Sequence, residues 1–120
     1  MNPSVRASTT DTGKRGEDLI CSRLQQNGFR ILDRNVRERF AEIDIVAERD
    51  SIIVFVEVRT RSDIRLGHPA ETVTLKKQQH IRRAAEAYLI RHRLTDRPVR
   101  FDVATIIWQG NIHEYFENAF

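Results

Sequence analysis

Three acidic residues, Glu17, Asp44 and Glu57, stand where an ordinary globular domain places apolar ones. The segments Glu42-Ile43-Asp44-Ile45-Val46-Ala47 and Ile52-Ile53-Val54-Phe55-Val56-Glu57-Val58-Arg59 read as adjacent strands joined by a polar break, Glu48-Arg49-Asp50-Ser51. A two-residue loop at Asp50-Ser51 pairs Arg49 with Ile52, and a four-residue loop about the same centre gives the same pairs. Counting back, Val46 faces Phe55, Asp44 faces Glu57 and Glu42 faces Arg59. Directly opposed residues project on one side of a sheet, so the two carboxylates converge. Two acids buried together repel each other unless a cation joins them. A divalent ion that prefers oxygen ligands is the simplest such cation.

The elements that must position these acids follow from periodicity. Gly13 to Asn27 reads as a helix with Glu17, Ile20, Cys21 and Leu24 on one stripe, stopped by Asn27-Gly28. Phe29 to Val36 reads as a first strand. Ile52 to Val58 is apolar on both faces, as a covered central strand would be. Residues 60–72 contain Gly67 and Pro69 and read as a long loop of functional length. Val73 to Arg93 is the longest helix, capped by Thr74, with Ile81, Ala84, Ala85, Tyr88 and Leu89 as its apolar stripe. Its other faces carry Lys76, Lys77, Arg82, Arg83, Arg91 and Arg93, a basic surface suited to nucleic acid. Val99 to Trp108 and Ile112 to Phe116 close the chain as strands around a Gln109-Gly110-Asn111 turn. The order predicts an α/β fold, a mixed sheet flanked by helices on both sides.

The bulk properties fit one domain, residues 13–120, behind a disordered polar tail, residues 1–12. The chain has 120 residues, 40% hydrophobic content and a net charge of +3. No apolar run approaches the roughly 20 residues a membrane span needs. The tail lacks a signal peptide's apolar segment, and the single Cys21 gives neither a disulfide nor a thiolate metal cluster. A cytoplasmic location is expected. The four histidines lack zinc-ligand spacing, and His68 sits in the long loop.

The spacing Glu17 … Asp44 … Glu57-Val58-Arg59 resembles the PD-(D/E)XK nuclease superfamily, with its restriction-endonuclease-like fold. More closely, the chain resembles the YraN family, itself similar to archaeal Holliday junction resolvases. The segments that carry the likeness are Gly13-Lys14-Arg15-Gly16-Glu17, Arg34-Asn35-Val36-Arg37, Ala41-Glu42-Ile43-Asp44-Ile45-Val46-Ala47, Val54 through Arg61, Arg100-Phe101-Asp102-Val103 and Asn118-Ala119-Phe120.

The resemblance implies metal-dependent cleavage of DNA phosphodiesters, with branched DNA as one substrate. Asp44, Glu57 and the main-chain carbonyl of Val58 would ligate Mg²⁺ or Mn²⁺. Glu17 would complete the site or help activate water. Arg59 stands where the superfamily carries Lys. Arg stays charged and cannot shuttle a proton as a Lys can. Lys76, Lys77, Arg82 and Arg83 would hold the nucleic-acid backbone, and similar resolvases are homodimers.

Other readings stay open at this point. Asp44 and Glu57 could be ion-paired to Arg59, Arg37 or Arg61 with no metal. Glu17 could simply favour the helix dipole. The Arg at position 59 also suits a non-catalytic nucleic-acid-binding module on the same fold, and a third alternative is an interaction protein that uses its charge for solubility. Asp102, within an apolar strand, reads as structural.

Overall fold

The computed structural model describes residues 9–61, 73–108 and 112–120. Seven elements follow in order: helix α1 (Thr9–Gln26), strands β1 (Arg30–Arg37), β2 (Glu42–Arg49) and β3 (Ile52–Arg61), helix α2 (Leu75–Arg91), and strands β4 (Val99–Ile107) and β5 (Ile112–Phe116). The strands form one sheet in the order β1-β2-β3-β4-β5. Pairing is antiparallel except between β3 and β4, which are parallel and joined through α2. The expected α/β fold with a mixed sheet is what the chain forms.

Each helix covers one face of the sheet. Ile20, Cys21 and Leu24 of α1 pack with Phe29, Ile45, Ala47, Val54, Val56, Ala104 and Ile106. Ile81, Ala84, Ala85 and Tyr88 of α2 pack with Val46, Ile53, Phe55, Phe101 and Val103 on the other side. β3 alternates between these cores and is buried from Ile53 to Glu57, which is why its sequence is apolar at both parities. Gly16 lets α1 lie close to the sheet: a methyl group there would sit 3.3 Å from Ile106 Cγ1 and 3.6 Å from Thr60 Oγ1.

The ends of the elements are set by local chemistry. The α1 stop at Asn27-Gly28 holds. Gly28 adopts φ +86°, its N–H donates to the Gln25 carbonyl, and the Phe29 N–H donates to Leu24. This is the paired bond pattern of a glycine-terminated helix, with Leu24 and Phe29 packed together beneath it. Thr74 caps α2, its Oγ1 accepting from the Lys77 N–H at 3.1 Å. At its other end α1 already includes Thr9, so residues 9–12 of the expected tail are helical and the helix extends at least four residues before the Gly13 suggested by periodicity. Of the expected tail, residues 1–8 lie outside the described residues. So do residues 62–72 of the expected long loop, His68 among them, and the Gln109-Gly110-Asn111 turn; Thr60 and Arg61 extend β3.

β1 departs from simple alternation. Ile31 pairs with Ala47 but Asp33 with Val46, so Leu32 is an extra residue in a bulge. Ile31 joins the α1-side core and Leu32 the α2-side core. Three residues on, Asn35 adopts φ +52°.

The β2–β3 hairpin turns through Asp50 and Ser51 with φ of +53° and +70°, and Arg49 pairs with Ile52 as expected. Positive φ at both central residues is the mirror-image turn whose twist suits a two-residue hairpin, and it disfavours residues that carry a Cβ. Ser51→Gly is expected to raise stability by about 0.5–1 kcal/mol. Chemical denaturation would read this as a higher midpoint with an unchanged slope.

Candidate metal centre

The predicted register holds over five pairs, from Arg49↔Ile52 to Ile45↔Val56. There it ends. Glu42 does not face Arg59 as expected but pairs with Arg37 of β1, with an Nε–Oε2 separation of 3.6 Å. The reason lies at Asp44. Its Oδ2 accepts the Val58 N–H at 2.8 Å, so a side chain takes up a strand amide and β2 forks away from β3. The two carboxyls still converge at the fork, close enough for each to act on the other's charge.

The electrostatics of this pair are unusual for a globular interior. Glu57 is 8% exposed. Burial pushes the Asp44 carboxyl up, the charge of Glu57 pushes it further, and the Val58 N–H offsets only part of this, so Asp44 titrates at about 8. Near neutrality the pair therefore holds a proton between two acids. A cation could replace that proton.

Two arginines flank the acids. Arg59 Nη1 lies 3.4 Å from Glu57 Oε2, so the ion-paired alternative is realised in part. Arg34 Nη2 lies 2.7 Å from Asp18 Oδ1 and 3.5 Å from Glu17 Oε1. Glu17 is thus tied to β1 by Arg34 while remaining near enough to raise the Asp44 pKa. Among the described residues, no three carboxylate, imidazole or thiol groups stand close enough to enclose a metal ion. Asp44 and Glu57 are instead a two-carboxylate platform. With the Val58 carbonyl it suits a hard ion that keeps several waters, as Mg²⁺ does.

The basic residues of α2 divide into two kinds. Arg82 stacks over Phe101 at 4.7 Å and Phe120 at 5.6 Å, and Arg83 over Phe40 at 4.6 Å. Lys76 and Lys77 lie in the first turn. The parallel β3-α2-β4 connection puts that turn at the end of the sheet where β3 finishes, with Glu57 four residues back along the strand. A cleft of about 300 Å³ lined by Arg23, Asn27, Phe29, Arg49 and Tyr115 lies elsewhere, at the opposite end of β2, roughly 17 Å away by strand rise.

Asp102 is the structural acid the sequence suggested. It is fully buried, accepts two bonds from Arg100 at 2.9 Å, and takes the Tyr115 hydroxyl at 2.5 Å and the Asn118 N–H at 2.8 Å. Burial and this carboxylate push the Tyr115 hydroxyl pKa up. Sequence reasoning missed Arg34 as a partner of Glu17. Simple alternation along β1 does not give the face of Arg34, because the Leu32 bulge intervenes. Sequence reasoning also missed Thr105, which pairs with Arg59 across the β3–β4 ladder; one Thr in an apolar strand carries no signal.

The raised Asp44 pKa fixes a sign. A carboxyl that titrates at about 8 folded and near 3.8 unfolded destabilises the fold progressively as pH rises between those values. Asp44→Asn keeps an acceptor for the Val58 N–H and removes the repulsion. The metal-free variant is expected to melt above the wild type at pH 8, by an amount on the order of a few kcal/mol, and to match it near pH 4. Thermal melts across that range check this.

Comparison with known proteins agrees with the motif reading. The family model of the uncharacterised protein family UPF0102 matches residues 16–106. A UPF0102 protein of Dictyoglomus turgidum is 40% identical over 114 residues, covering 92% of this chain and 97% of that protein. One from Persephonella marina is 42% identical over 108 residues, covering 90% and 91%. One from Prosthecochloris aestuarii is 47% identical over 100 residues, covering 83% and 79%. Glu17, Asp44, Glu57 and Arg59 all fall inside the matched span, and the chain belongs to the uncharacterised protein family UPF0102, the YraN family that its motifs resemble.

Proposed function

We propose that this protein is a metal-dependent nuclease acting on DNA, with the fork between β2 and β3 as its active site. One observation carries the reading: the Asp44 and Glu57 carboxyls converge at the fork, where Asp44 Oδ2 takes the Val58 N–H and the Asp44 carboxyl is pushed up to about 8. A fold gains nothing in stability from such a pair, so the arrangement points to a bound cation.

Each residue then has a task. The Val58 N–H fixes Asp44 Oδ2 and leaves Oδ1 to the cation. Glu57 supplies the second carboxylate, and the Val58 carbonyl is the natural third protein oxygen. Mg²⁺ or Mn²⁺ here would supply Lewis acidity toward a phosphodiester and water. Arg59 keeps its charge at any working pH. It therefore serves as an electrostatic clamp on the phosphate rather than as a proton acceptor. Glu17, released from Arg34, is the remaining carboxylate near enough to take a proton from water. Lys76 and Lys77 hold the backbone beside the site, while Arg82 and Arg83 present guanidinium edges from aromatic platforms. Such binding weakens steeply as salt rises.

The fixed charge of Arg59 favours a second reading, a nucleic-acid-binding module on the same fold that does not cleave. No helix among the described residues is long and apolar enough to cross a membrane, and nothing in either reading requires a membrane. A homodimer would present two such forks to a branched substrate.

The discriminating assay uses linear, single-stranded and four-way-junction DNA with the purified protein in Mg²⁺ and in Mn²⁺. Cleavage is expected in the wild type and reduced at least a hundredfold in Asp44→Asn. Cleavage that survives this substitution removes the nuclease reading. Salt-sensitive binding without any cleavage establishes the binding module instead.

A further inference from the structure

Thr105 is fully buried in the middle of β4. Its Oγ1 has no hydrogen-bond partner among the described residues. An unmade hydrogen bond in an interior is a standing cost, and Val would fill nearly the same volume without it. The position explains the exception. Thr105 pairs with Arg59 and Val103 with Glu57 across the parallel ladder, and paired residues share a face. Phe101 and Val103 belong to the α2-side core, Ala104 and Ile106 to the α1-side core. Alternation therefore puts Thr105 on the α2 side, in the row of Glu57 and Arg59.

We propose that Thr105 is a positioning residue of the carboxylate site: its hydroxyl is the acceptor to which the Arg59 guanidinium moves when Glu57 is engaged by a divalent cation. This inference rests on the metal reading above. The contact from Arg59 Nη1 to Glu57 Oε2 is 3.4 Å, long for a charge-assisted bond, which favours about 2.7–2.9 Å. A cation on Glu57 weakens that contact further, because it neutralises the carboxylate and repels the guanidinium. The guanidinium has five N–H donors in one plane, so it can give one to an acceptor on the adjacent strand while keeping its other contacts. A second carboxylate would compete for the metal. A neutral hydroxyl on the adjacent strand does not, and it holds Arg59 beside the acids, where a phosphate would lie.

The test compares the full-length wild type with Thr105→Val and Thr105→Ser. Melting is followed without metal, and Mn²⁺ binding by calorimetry. Metal-free Thr105→Val is expected to melt above the wild type, because the unpartnered hydroxyl is gone. Its Mn²⁺ affinity is expected to fall about tenfold, the weight of one hydrogen bond to a charged group. Thr105→Ser is expected to restore wild-type affinity. The inference is overturned if Thr105→Val binds Mn²⁺ like the wild type, if Ser behaves like Val, or if the metal-free Val variant melts lower. Asp44→Asn separates the two levels. If the wild type binds no Mn²⁺, or Asp44→Asn binds it equally well, the metal reading fails and takes this inference with it.

Discussion

The structure turns on two carboxylates that the backbone forces together. β2 and β3 pair in register until Ile45 and Val56, and the next step would set Asp44 against Glu57. Like charges at contact distance in a poorly solvated interior repel by several kcal/mol at an effective dielectric of about 20. The chain answers with three local devices. A strand amide, Val58 N–H, is given to Asp44. Arg59, two residues along the same strand, leans on Glu57. A proton stays on the pair up to about pH 8. The end of the ladder, the fork and the crowding of arginines around it all follow from that contact.

Asp102 shows what a buried acid looks like when stability alone sets its surroundings. It lies one strand away, fully buried, and receives a bidentate guanidinium, a phenol and a backbone amide. Asp44 receives one amide and faces another acid. The same sheet thus contains one carboxylate saturated with donors and one left short of them. Asp102 is the more deeply buried of the two, Asp44 being half-buried, and the larger difference is the count of donors. A site open to a cation needs that deficit, because a saturated carboxylate has no lone pairs to offer.

The arginine-rich composition is spent largely on packing. Arg15 lies over Trp108, Arg49 over Phe29, Arg82 over Phe101 and Arg83 over Phe40, each at under 5 Å from the ring centroid. Guanidiniums held against rings lose less freedom when they meet an anion. The basic surface of α2 is therefore a set of partly fixed donors, which a count of positive charges would not reveal.

Much of this was legible in the chain. Two-residue alternation and a short polar break set the β2–β3 register. A 3.6-residue stripe placed Glu17 at the edge of α1 and left Lys76 and Lys77 at the start of α2. Apolar residues at both parities marked β3 as central. These are local rules, and local sequence is enough to apply them. What the tertiary structure decided is non-local. The fork at Asp44 depends on an amide fourteen residues away. The tie from Arg34 to Glu17 depends on a bulge at Leu32, since one extra residue exchanges the faces of everything after it. The placing of Thr105 beside Arg59 depends on a parallel ladder closed only after α2 has crossed the sheet. Periodicity fixes which side of its own strand a residue takes, but which residues of other strands it meets there is settled only when the sheet is assembled.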